Sequence, residues 1–93
     1  MRLTEQEIVW IRETVHQMDP DAVIRLFGSR IESKLKGGDI DLLILSKVLG
    51  LKEKLIIRFR LREKFGNRKI DLIVTPKPKN EFTRYAMKNS LLI

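Results

Sequence analysis

Two short runs constrain the fold of this chain more than any other feature: DIDLLIL at 39–45 and KIDLIV at 69–74. Each is an almost unbroken series of β-branched and aliphatic residues, interrupted near its start by aspartate. The longer run, DIDLLIL, lacks the polar alternation of a strand with one wet face, so it reads as a strand covered on both sides, and KIDLIV reads as a further strand. AVIRLF at 22–27 is a third short strand by the same composition. Strands covered on both faces require helices to cover them, and the sequence supplies three candidates.

The first candidate is 4–18, TEQEIVWIRETVHQM. Thr4 and Glu7 have the spacing of a capping box, and Ile8, Ile11 and Val15 recur at helical spacing with Trp10 on a flank. Asp19-Pro20-Asp21 ends it, because the residue before a proline avoids the helical region. The second is 51–65, LKEKLIIRFRLREKF, where IRFRLR alternates like a strand but Leu51, Leu55 and Phe59 keep the helical period. Its length and the Gly66-Asn67 stop favour a helix with a C-terminal cap. The third is the tail from Asn80 to Ser90, with Phe82, Tyr85, Ala86 and Leu91 as its apolar side. The expected order is α-β-β-α-β-α, in an α/β sandwich with a small mixed sheet and flanking helices. With no repeat and no Ser/Gly-rich linker, residues 1–93 are expected to form one domain.

Composition removes several classes of function. There is no cysteine, hence no disulfide framework, thiolate nucleophile or cysteine metal site. No run approaches the roughly 18 apolar residues of a membrane span. The N-terminus lacks the layout of a secretory signal, so a cytoplasmic protein is expected. The single His16 is expected to be an ordinary surface or interface residue. The net charge of +7 is unevenly spread: residues 1–46 carry 6 basic and 8 acidic side chains, residues 47–93 carry 13 and 4. A basic half is compatible with a polyanionic ligand or with a solvated helical surface, and charge alone does not choose.

The aspartates carry the chemistry. Side chains at i and i+2 of a strand share a face, so Asp39 and Asp41 are expected side by side, with Cα atoms about 6.5 Å apart. Ile40 and Leu42 then enter the core and fix the register, since a slip of one residue would bury both charges. Asp71, flanked by Ile70 and Leu72, would join the pair if its strand is a neighbour. Three carboxylates without a nearby His or Cys suit Mg²⁺, a hard cation that binds beside substrate phosphates. Phe27-Gly28-Ser29-Arg30 follows the first strand. There glycine permits close backbone approach to phosphate, and Arg30 can add a charge-assisted contact. No Walker-type loop occurs.

Together, GSRIESKLKGGDIDLLIL, with nine residues (30–38) between Ser29 and Asp39, resembles the Gly-Ser, spacer, DxD motif of polymerase-β-like nucleotidyltransferases. Asp71 in KIDLIV matches the third carboxylate of that family. The resemblance covers nearly the whole chain, and the short closing helix ending in SLLI is most similar to the minimal nucleotidyltransferases that act as antitoxins of HEPN-domain toxins. It departs at Gly37-Gly38, where relatives carry Ser-Asp, and at Ile31-Glu32-Ser33 after the GSR.

The resemblance implies a nucleotidyltransferase-like fold and a catalytic, metal-binding set of Asp39, Asp41 and Asp71 for two Mg²⁺ ions. It also implies a nucleotide-binding turn of Gly28, Ser29 and Arg30. ATP is then the substrate, and AMP passes to an acceptor hydroxyl, a tyrosine of a HEPN toxin partner. Trp10, Phe82 and Tyr85 are the expected partner-facing aromatics. Two other readings stay open, a non-catalytic toxin-neutralising module and an RNA-binding accessory. Against the second, 6% aromatic residues leave no stacking platform, and direct nucleic-acid binding is not expected. Self-association and hetero-oligomer formation both remain open.

Overall fold

A computed structural model describes residues 3–28, 39–66 and 68–93. The elements are α1 (Glu5–His16), β1 (Val23–Phe27), β2 (Ile40–Leu45), α2 (Leu51–Phe65), β3 (Ile70–Thr75), α3 (Glu81–Lys88) and β4 (Ser90–Leu92). The expected capping box opens α1: the Thr4 hydroxyl accepts from the Glu7 amide at 3.1 Å, and the Glu7 carboxylate accepts from the Thr4 amide at 2.9 Å. His16 is half-buried at the other end, its Nε2 donating to the Ala22 carbonyl at 2.9 Å, which ties the helix to the approach of β1.

The sheet order is β3-β2-β1-β4. β2 and β3 run parallel, as a strand-helix-strand crossover through α2 requires. β1 is antiparallel to both β2 and β4. One sheet face carries Ile24, Leu26, Leu42, Ile44 and Leu72 against Ile11 and Val15 of α1 and Ile57, Leu61 and Phe65 of α2. The other places Leu43 and Phe27 against Ala86 of α3. β2 is therefore covered on both faces, as its unbroken apolar run predicts. Among the described residues no helix is long and apolar enough to cross a membrane.

Three features differ from the sequence reading. The tail is not one closing helix. α3 ends at Lys88, and residues 90–92 form β4 on the edge of β1, so Leu91 belongs to a strand and not to the apolar side of a helix. An open β1 edge leaves backbone groups unpaired, and β4 satisfies them. The register is Arg25↔Leu92, Leu26↔Leu91 and Phe27↔Ser90, and Arg25 Nε donates to the Ser90 hydroxyl at 2.7 Å. The observed order is thus α-β-β-α-β-α-β.

The second difference lies in α2. Its bounds match the reading, but the four-residue repeat of Leu51, Leu55 and Phe59 faces outward, with 69%, 51% and 65% exposure. A parallel repeat, Ile57, Leu61 and Phe65, is the one that packs on the core. The third is Trp10, which is half-buried and stacks edge-to-face on Phe65 with ring centres 5.7 Å apart. The Lys64 ammonium lies 5.6 Å from the centre of the Trp10 ring. This residue serves α1–α2 packing, whereas Phe82 and Tyr85 are exposed.

Candidate active site

The parallel register of β2 on β3 pairs Ile40 with Ile70, Asp41 with Asp71 and Leu42 with Leu72. The isoleucines and leucines on either side of each aspartate are all buried, so both strands are locked in phase. A one-residue slip would bury two carboxylates together. Asp41 and Asp71 consequently stand on adjacent strands, on the same sheet face, with strand axes about 4.8 Å apart. That face is the one carrying α3.

Burial is the largest influence raising the Asp41 carboxyl above its ordinary pKa. Next come the charge of Asp71, a hydrogen bond shared with the Asp71 carboxyl and the charge of Asp39, with Lys69 acting in the opposite sense. Two carboxyl groups this close cannot both hold full negative charge without cost, so they share a proton or gather a cation. Lys69 supplies part of that cation, with its ammonium 3.8 Å from Asp71 Oδ2. Both side chains are open to water, Asp71 46% exposed and Lys69 69%, so the contact is a weak one.

Gly28 closes the site on its third side. Phe27, at the end of β1, is paired with Asp41, and the next residue turns at φ +81. A Cβ built on Gly28 would lie 2.7 Å from Asp41 Oδ2, closer than any real contact of that kind. Glycine is required here twice, for the left-handed backbone and for the carboxylate that occupies the side-chain position.

Of the predicted site residues, the structure brings together Asp41, Asp71 and Gly28. Asp39 is exposed and precedes the first residue of β2, which begins one residue later than the 39–45 reading expects. Its charge still reaches Asp41. Among the described residues no three carboxylate or imidazole groups converge closely enough to hold a metal as they stand. Ser29, Arg30 and the Gly37-Gly38 departure lie outside the described residues. The donor set near Asp41 and Asp71 is oxygen only, which fits a hard divalent cation.

The sequence reading missed a cluster of cations beside this pair. Arg58 and Arg62 of α2, with Lys69, Ile70 and Asp71, line a cleft of about 400 Å³ at the start of β3. The signal was available: arginines four apart share a helix face, and Lys69 and Asp71 share a strand face.

A small mixed sheet carrying an in-register carboxylate pair, with a glycine turn pressed against one member, defines a phosphoryl- or nucleotidyl-transfer type of site. The family model described as "Nucleotidyltransferase domain" matches residues 8–93, and the chain belongs to that family, within the polymerase-β-like superfamily. Its activity is nucleotidyl transfer, and its fold is consistent with that family. No curated protein matches the chain at a significant level.

Proposed function

We propose that this chain is a Mg²⁺-dependent adenylyltransferase that moves AMP from ATP to a hydroxyl on a separate protein, a tyrosine of a HEPN-type toxin, and thereby acts as an antitoxin. The observation that carries the reading is the Asp41–Asp71 pair in register with Gly28 against Asp41. Asp41 and Asp71, with Asp39 swinging in from the residue before β2, would hold two Mg²⁺ ions. When bound, the ions would neutralise charge on the α-phosphoryl and leaving oxygens.

The chain's own groups do the rest. Gly28 gives the Asp41 carboxylate its place beside the turn, and Gly28, Ser29 and Arg30, consecutive in sequence, would contact the distal phosphates. The acceptor oxygen forms its bond to the α-phosphorus as the bond from that phosphorus to the pyrophosphate oxygen breaks. Asp71, whose carboxylate is open to water, would receive the hydroxyl proton.

The test is to incubate the protein with α-labelled ATP, Mg²⁺ and a HEPN-type helical protein. Label should appear on a tyrosine of that partner, and Asp71→Ala should abolish labelling while the two proteins still co-purify. A wild-type complex that never labels would replace this reading with a non-catalytic neutralising module.

A further inference from the structure

We infer that the outer face of α2 is the dock for the acceptor, and that it takes an acidic amphipathic helix of the acceptor protein. The docking role rests on the transfer reading above, while the surface itself is defined independently of it. Leu51, Leu55 and Phe59 form one exposed stripe, four residues apart, along most of a helix whose opposite side already packs on the core. Large apolar side chains aligned in this way are the pattern an incoming helix meets with residues at spacings of three and four.

The stripe is framed by cations. Arg58 stands three residues from Leu55 and Arg62 three from Phe59, four apart from one another, so both run along one side of the stripe. Neither makes an ion pair among the described residues, and Arg58 Nε is buried without an acceptor. Guanidinium groups without an ion-pair partner are suited to carboxylates brought by an acidic helix.

Position ties this surface to the chemistry. Arg58 and Arg62 line the same cleft as Lys69 and Asp71. Among the described residues β3 is the edge strand, and the cleft runs round it from the α2 face to Asp71 on the α3 face. A helix seated on Leu55 and Phe59 would therefore carry its next residues toward Asp71, with carboxylates on Arg58, Arg62 and Lys69. The aliphatic stripe favours a protein over RNA, whose interfaces are more polar and more uniformly basic.

The probe is a fluorescein-labelled amphipathic peptide with leucines at helical spacing, glutamates between them and one tyrosine. A version with lysine for glutamate and a single-stranded RNA 12-mer serve as comparisons. Fluorescence anisotropy without nucleotide should show that the acidic peptide binds and the basic one does not. Arg58→Gln with Arg62→Gln should weaken binding at least about tenfold, with steep salt dependence in the wild type. Leu55→Ser with Phe59→Ser should weaken it similarly.

Calorimetric affinity for Mg²⁺-ATP and the thermal melt should be unchanged in Leu55→Ser with Phe59→Ser, whose side chains are exposed and lie outside the cleft. Wild-type protein that binds the peptide but not ATP would sink the proposed function and leave the surface intact. Failure of the wild type to bind the acidic peptide, equal binding of the acidic and basic peptides, or indifference to both double variants would overturn the inference. So would RNA binding that depends on the same arginines. Where transfer to the peptide tyrosine is measurable, Leu55→Ser with Phe59→Ser should raise KM for peptide and leave KM for ATP unchanged.

Discussion

Gly28→Ala tests the site with a built-in control. A methyl at position 28 would lie 2.7 Å from Asp41 Oδ2, against 3.4 Å for the start of ordinary contact, so the carboxylate must retreat by about 0.7 Å. The left-handed backbone at φ +81 adds a penalty of about 1–2 kcal/mol for any residue with a Cβ. Gly66 turns at φ +72 and ψ −132 with nothing within 4 Å of its would-be Cβ, so Gly66→Ala carries backbone strain of its own and no clash. For a domain of this size each kcal/mol lowers Tm by about 4–8 °C.

Both variants should therefore melt lower, Gly28→Ala by about 4–16 °C from the backbone term. Their effects on ligand binding should part completely. A displacement of that size at a metal-binding oxygen should cost Gly28→Ala at least about tenfold in Mg²⁺-ATP affinity, because coordination at 2.0–2.1 Å tolerates little misplacement. Gly66→Ala should bind as the wild type does. Differential scanning fluorimetry and calorimetry at one pH suffice. Unchanged ATP affinity in Gly28→Ala would refute the idea that Gly28 is reserved for the Asp41 carboxylate.

Three further outcomes follow from the same geometry. The Asp41 carboxyl is raised in the fold by burial and by Asp71, so its ionisation costs stability as pH rises from the unfolded value of 3.8 through the folded one. Asp41→Asn should hence melt higher than metal-free wild type at pH 7, with the difference shrinking toward pH 4, and melts at several pH values would show it. From the Gly-Ser motif, Ser29→Ala should weaken ATP binding about tenfold or more and leave AMP binding nearly unchanged, since a hydrogen bond to a charged group is worth about 1.5–3 kcal/mol. Deleting residues 90–93 should lower Tm and promote self-association visible by light scattering, because it uncovers the edge of β1 that β4 satisfies.

The strand pair and its aspartates were legible because DIDLLIL and KIDLIV carry their register in their composition: each Asp is bracketed by residues that must be buried. The helix bounds of α2 were legible from its length and from Gly66. What the chain could not announce was which apolar repeat of α2 faces inward. Leu51, Leu55 and Phe59 and Ile57, Leu61 and Phe65 have the same period, and only packing on the sheet separates them.

β4 was hidden for a different reason, since three residues are too few to show a period and its pairing is with a strand 65 positions away, as in the Arg25–Ser90 contact. Asp39 was placed one residue too far into the strand, an ambiguity of strand ends that alternation alone does not resolve. The closeness of Gly28 to Asp41 depends on the antiparallel pairing of β1 with β2, which is set by topology and not by any local motif.

The central claim is that Asp41 and Asp71 form a metal-dependent nucleotide site, and calorimetric titration with ATP tests it most directly. Wild-type protein, Asp41→Asn and Asp71→Asn would each be titrated in Mg²⁺ and in chelator. ATP should bind the wild type at least about tenfold more tightly with Mg²⁺ than without it, and both variants should lose that gain while melting as folded proteins. Equal affinity in Mg²⁺ and chelator for the wild type, or a full Mg²⁺ gain retained by either variant, would contradict the account.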